Sequence, residues 1–228
     1  MKKIIETKST KNKSNLDSHN FIDTYFMEVR HCLDALDKET LEIASDMIME
    51  AYRNGRKIFI FGNGGSASLS SHLACDLGKG TLRRVYDNSE RRLRTISLTD
   101  NVAIMTAFAN DLSYEHIFIQ QLRNLVETGD LIIAISGSGN SKNIIKAVHY
   151  AKECGARSIG FLGFKTGGKL KEMVDCAIIV DSNHYGPIED IHQILGHLFS
   201  AWIARAKTEY DGVKNGKLEN KAIPFYIE

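Results

Sequence analysis

The sequence predicts an α/β domain: a five-stranded parallel sheet flanked by helices, with a helical extension before the first strand. Three observations carry this. Five short β-rich runs, Ile58–Phe61, Leu93–Leu98, Leu131–Ile135, Ser158–Leu162 and Ala177–Val180, alternate with segments of helical periodicity. The most apolar of them, Ile58–Phe61 and Leu131–Ile135, suit strands buried on both faces, as parallel sheets require. Each of these two also runs directly into a glycine- and serine-rich loop, and ligands of open parallel sheets bind beyond the strand C-termini. Finally, a chain of 228 residues with only two prolines fits a single helix-rich domain.

In chain order, residues 1–16 are Lys, Ser, Thr and Asn with little to bury and read as a mobile tail. Residues 17–207 form the domain. Phe21, Tyr25, Val29, Cys32 and Leu33 recur at helical spacing, and Leu41, Ile43, Ala44, Met47, Ile48 and Tyr52 make a second amphipathic helix ended by Asn54-Gly55. After the first strand and its loop comes an Arg-rich connection, Thr81 to Arg92, read as solvated surface. A helix from about Val102 ends at the turn Asn110-Asp111, and another runs from Tyr114 to Leu125. Ile144 to Cys154 is capped by Gly155. Thr166-Gly-Gly-Lys169 and a short helix separate the last two strands. A long helix runs from Ile188 to about Ala206, and residues 208–228 read as a polar tail whose Phe225-Tyr226 pair is a candidate docking element.

Composition excludes several classes. The hydrophobic fraction is 43% and the charged fraction 25%, ordinary for a globular protein. A net charge of +1 gives no sign of nucleic-acid or membrane binding. No apolar run reaches membrane-spanning length and the N-terminus lacks the apolar core of a signal peptide. Cys32, Cys75, Cys154 and Cys176 are scattered with no CxxC pair, which suits free thiols in a reduced cytoplasm.

Chemistry concentrates in three places. In Gly62-Asn63-Gly64-Gly65-Ser66-Ala67, glycines allow close approach of backbone to a ligand, and the N–H groups of the following helix start make an anion site. The pattern also fits a dinucleotide fingerprint. However, the acidic residue that should follow about 20 residues on has no counterpart, since Asp100 lies much too far along. One turn into that helix, His72 and Asp76 are spaced i, i+4 and share a face. The second loop, Ser136-Gly137-Ser138-Gly139-Asn140-Ser141, offers three hydroxyls beside freed backbone. A single capping serine would explain an ordinary turn; three in six residues suit a terminal phosphate. Lastly, the C-terminal helix carries Glu189, Asp190, His192 and His197. Asp190 is i, i+7 to His197, and Glu189 lies about 80° from it on the helix wheel, so periodicity leaves the choice of acid open. His192 points elsewhere and reads as a packing or surface histidine.

Gly62-Asn-Gly-Gly-Ser66 through His72-Leu-Ala-Cys-Asp76 resembles the sugar isomerase (SIS) domain of phosphoheptose isomerases. Ser136–Ser141 is similar to that family's phosphate loop, and Ala109-Asn110-Asp111 and Ile188–His197 to its later segments. The resemblance covers about residues 20–205. It implies a flavodoxin-like three-layer sandwich, a homotetramer with sites between subunits, and conversion of sedoheptulose 7-phosphate to D-glycero-D-manno-heptose 7-phosphate through an enediol. Asp76 and His197 would then be catalytic. Asn63, Gly64, Gly65, Ser66, Asp111, Ser136, Gly137, Ser138, Ser141 and Glu189 would bind substrate or its phosphate. One Zn²⁺ per subunit would sit on His72, Asp76, Glu189 and His197, where the family places His, Glu, Gln and His. Two of the four ligands therefore differ, both retaining an oxygen donor. The rival reading is a non-catalytic SIS protein that binds a sugar phosphate or a protein partner, or an isomerase of another phosphosugar.

Overall fold

The computed structural model describes residues 17–214; the expected N-terminal tail and the Phe225-Tyr226 pair lie outside them. Five strands form one all-parallel sheet in the order β2-β1-β3-β4-β5. They are β1 (Lys57–Gly62), β2 (Arg94–Ser97), β3 (Leu131–Ser136), β4 (Arg157–Leu162) and β5 (Cys176–Ile179). Alternation along β1 and β3 splits the core in two. Ile58, Ile60, Ile133 and Ile135 face one layer of helices, and Phe59, Phe61, Ile132 and Ala134 the other.

The first layer contains α2 (Lys38–Asn54), α3 (Gly65–Cys75) and α7 (Tyr185–Lys214), with α1 (Ser18–Asp34) on its outside. The second contains α5 (Ile119–Leu125) and α6 (Lys142–Glu153), with α4 (Val102–Asp111) near its edge. Asp37 caps α2 by accepting from Glu39 N and Thr40 N at 3.3 Å, and Gly55 ends it at φ +65°.

Three elements differ from the sequence expectation. The helix expected from Tyr114 to Leu125 is a 3₁₀ turn at Tyr114–His116 followed by α5. A π-helical turn, Asp76–Gly80, follows α3. And α7 does not stop near Ala206 but continues to Lys214, so residues 208–214 are helix rather than tail. Its extension packs through Lys207, which is 2% exposed. The ammonium donates to the Thr81 carbonyl (3.1 Å), stands 3.7 Å from Glu90 and lies over the Tyr52 ring at 5.1 Å. Glu90 in turn accepts from the backbone N–H groups of Arg83 and Arg84. The Arg-rich connection is thus pinned to α7 by a buried cation.

The strand order reverses direction between β1 and β3, and the two strands pair side by side, Gly62 against Ile135. The loops at their C-terminal ends therefore meet at the switch point of the sheet, where such sheets hold ligands.

Candidate active site

The first loop is built on glycines with little room. A Cβ on Gly62 would stand 2.6 Å from Ser66 Cβ and 2.8 Å from the Ile135 carbonyl, so strand and helix can meet only here at a glycine. Gly64, at φ +57°, opens α3 without a side-chain cap. Asn63 reaches across to the start of α6: its amide donates to Asn143 Oδ1 (3.0 Å), while its Oδ1 accepts from Asn143 (2.8 Å) and the Tyr114 hydroxyl (2.9 Å). Ser66 turns inward and its N–H donates to the Asn63 carbonyl.

In the second loop, the Ser136 and Ser141 hydroxyls are 3.5 Å apart and the Gly139 N–H donates to Ser136 Oγ at 3.2 Å. The Asn140 N–H donates to Ser138 Oγ at 3.3 Å. Ser141 caps α6 without bonding its own first turn, and α6 begins with no acidic residue; the Ile144 N–H donates to Asn143 Oδ1 (3.0 Å), which leaves the N–H groups of Lys142 and Asn143 for an anion. Gly137 lies against Tyr185 and Ile188 of α7. Asp111 sits at the exposed end of α4, accepting from its neighbour Asn110.

Two turns along α3, the imidazole–carboxylate group assembles. His72 Nε2 and His197 Nε2 are 2.9 Å apart; Asp76 Oδ2 is 3.2 Å from the first and 3.8 Å from the second. Asp76 opens the π-helical turn, a local widening often found at functional positions. His197 arrives because α7 runs beside α3 in the same direction. Gly196 lies against α3 too: a Cβ there would meet Leu69 Cδ1 at 3.4 Å, an ordinary contact. Among the described residues these three side chains form a group whose ligand atoms all lie within 4.8 Å of one another. Ligand atoms on a tetrahedral ion with bonds of about 2.0–2.1 Å stand about 3.3 Å apart. Two imidazoles and a carboxylate at these separations fit a divalent transition metal.

Glu189 is not in that group. Its carboxylate lies over the start of α3, where a Cβ on Gly65 would meet Oε2 at 2.6 Å. The fourth expected ligand is thus kept two helical turns from His197 within one copy of the chain. Gln193, one turn before His197, stands closer, with Nε2 at 3.3 Å from His197 Nε2. Gln193 is absent from the sequence reading, although the i, i+4 spacing that singled out His72 and Asp76 also relates Gln193 to His197. Asp190, the other acid, accepts from the Tyr25 hydroxyl at 2.7 Å, and that bond, with burial, pushes the Tyr25 phenol up to about 12. His192 is a core residue: it is 1% exposed, and its Nε2 donates to the Leu162 carbonyl at 3.1 Å. Its buried Nδ1 has no partner among the described residues, and burial pushes its pKa down to about 4.

A doubly flanked parallel sheet with two glycine loops at its switch point, and a His/Asp group two turns along the helix that follows the first, defines an α/β protein of the open parallel-sheet class that binds ligands beyond its strand ends. The chain belongs to the SIS domain family, whose model matches residues 24–163. It is 42% identical over 164 residues to the phosphoheptose isomerase of Thermodesulfovibrio yellowstonii, covering 72% of this chain and 77% of that one. Over 160 residues it is 40% identical to the phosphoheptose isomerase of Aliarcobacter butzleri, covering 70% and 82% of the two chains. The structure of phosphoheptose isomerase GmhA from Neisseria gonorrhoeae superposes with a TM-score of 0.73 at 28% identity, covering 83% of this chain and all of that one.

Proposed function

We propose that this protein is an aldose–ketose isomerase that interconverts sedoheptulose 7-phosphate and D-glycero-D-manno-heptose 7-phosphate. The observation that carries the reading is the joining of two chemistries on neighbouring elements. The loops after β1 and β3 meet where those strands pair, and α3, which opens at the first loop, carries His72 and Asp76 to His197 of α7.

The phosphate binds the hydroxyls of Ser136, Ser138 and Ser141 and the open N–H groups of α6. The α3 start is the poorer seat, because the Glu189 carboxylate stands over Gly65. Two unit negative charges about 4 Å apart repel by about 4 kcal/mol near a protein surface. Glu189 therefore faces the sugar hydroxyls. Asp76 Oδ2 is turned to the two imidazoles, which leaves Oδ1 to take the proton from the carbon next to the carbonyl. With no metal on its Nε2, His197 moves the second proton between the two oxygens of the enediol through that atom. One Zn²⁺ per subunit on His72, Asp76 and His197 would take up that nitrogen and would supply Lewis-acid polarisation of those oxygens instead.

The proposal includes a homo-oligomer, taken as a tetramer, in the cytoplasm. Supporting the oligomer, Ile194, Leu198 and Trp202 form an exposed stripe on α7, at 40%, 44% and 48%, and Phe21 and Met27 of α1 are each 65% exposed. No described helix is long and apolar enough to cross a membrane.

A coupled assay with sedoheptulose 7-phosphate tests the reaction. Asp76→Asn and His197→Ala should each lower kcat by about 10²–10⁴-fold. Turnover unchanged in both variants would refute the assignment.

A further inference from the structure

The turn that follows β4 is conformationally expensive. Phe164 and Lys165 sit at φ +53° and +59°, the only non-glycine residues with positive φ among those described, and Gly167 and Gly168 follow at +69° and +58°. L-residues adopt this region at a cost in backbone energy, and such outliers persist only where their surroundings hold them. Closing the connection between β4 and β5 does not by itself require two of them, because glycine at either position would do the same without strain.

The turn presses on the serine loop. A Cβ on Gly139 would stand 1.9 Å from the Gly167 carbonyl oxygen, and one on Gly168 2.3 Å from the Ser138 carbonyl oxygen. The backbones touch, and only glycine fits on either side. Just past the turn, the Leu170 N–H donates to the Gly139 carbonyl at 3.0 Å and the Lys169 N–H to Asn140 Oδ1 at 3.1 Å. The strained pair is anchored from α7 and α1. The Phe164 ring meets Tyr185 edge-on at 4.8 Å between centroids, and Tyr185 also lies against Gly137. Lys165 pairs with Asp181 at 3.3 Å, and His31 of α1 reaches the same carboxylate at 3.4 Å.

We propose that the Gly163–Gly168 turn is a positioning element for the phosphate seat: its left-handed backbone holds the Ser136–Ser141 loop from outside and so sets where the serine hydroxyls point. Lys165 is a positioning residue, acting through its backbone. This rests on the reading of the serine loop as the phosphate site.

The test uses the full chain with inorganic phosphate and sedoheptulose 7-phosphate. Lys165→Val, whose branched Cβ disfavours the left-handed backbone, should raise the dissociation constant for phosphate and KM for the sugar about tenfold, with kcat within twofold. Lys165→Gly, which adopts that backbone freely, should leave both within twofold. Gly168→Ala, with a native circular-dichroism spectrum, should weaken phosphate binding further. A purely structural turn predicts a lower melting temperature for Lys165→Val and Gly168→Ala with phosphate binding unchanged, and that result overturns the proposal. Ser138→Ala separates the two claims. If it weakens phosphate binding while Lys165→Val and Gly168→Ala do not, only the positioning role fails. If it leaves phosphate binding unchanged, the seat is elsewhere and both fail.

Discussion

His192 makes this protein sensitive to mild acid in a way that can be worked out from its surroundings. The ring lies inside the domain, donates through Nε2 to the Leu162 carbonyl and leaves Nδ1 without a described partner. Protonating Nδ1 would place a charge where nothing stabilises it, and burial holds the folded pKa near 4 against an ordinary 6.5. At pH 7.5 the ring is neutral in both the folded and the unfolded chain and contributes nothing to their difference. Below pH 6.5 the unfolded chain takes up a proton that the folded chain refuses. Stability is therefore complete above that value and falls as the pH drops from about 6.5 toward 4. With these two pKa values, linkage gives a loss of about 2 kcal/mol by pH 5 and about 3 kcal/mol once both states are protonated. Carboxylates such as Glu28 and Asp181, held below their usual range, lose stability in the same direction. The clean measurement is therefore a difference. His192→Gln keeps a donor of similar reach and has no titrating ring. Denaturant unfolding of both proteins at pH 7.5 and 5.0, at one protein concentration, should show the wild type losing about 2 kcal/mol more than the variant. Equal losses would mean that His192 takes up a proton in the folded state, and the account of its burial would be wrong.

Two further outcomes follow from the same geometry. Gln193→Ala should weaken zinc binding, measured by competition with a chelator, by about 10–100-fold, whether its amide touches the metal or orients His197; Glu189→Gln should leave zinc affinity within about threefold, and the reverse order would return Glu189 to the metal. Lys207→Met keeps the apolar stem but strips Glu90 of its buried cation, which should cost about 3 kcal/mol and lower the melting temperature by about 6–12 °C, whereas a shift under 2 °C would show the pair to be idle.

The sheet was readable because buried parallel strands leave an unbroken apolar signature, as in Ile58–Phe61 and Leu131–Ile135. The end of α7 was not, because helical periodicity counts Lys207 as polar. In the fold that side chain lies in the interior, its ammonium satisfied by the Thr81 carbonyl and Glu90. The site shows the same division. The pairing of His72 with Asp76 is local and follows from 3.6 residues per turn. The convergence of His197 on them is a property of how α7 packs on α3, and no single helix encodes it. The placement of Glu189 follows from that packing too, since nothing in Ile188–His192 alone says which acid faces Gly65.

The parallel run of α3 and α7 is what makes the separate signals one site. Glu189 stands over Gly65 and His197 beside His72, so the two helices keep step: seven residues on one match eight on the other, about 10.5 against 12 Å of rise. Under the proposed reaction, a phosphosugar anchored at the switch point would meet the His/Asp group at a separation that both helices fix. A sugar shorter by two carbons would then present its carbonyl about 2.4 Å away from that position, and misplacement of about 1 Å is enough to cost a hundredfold in rate.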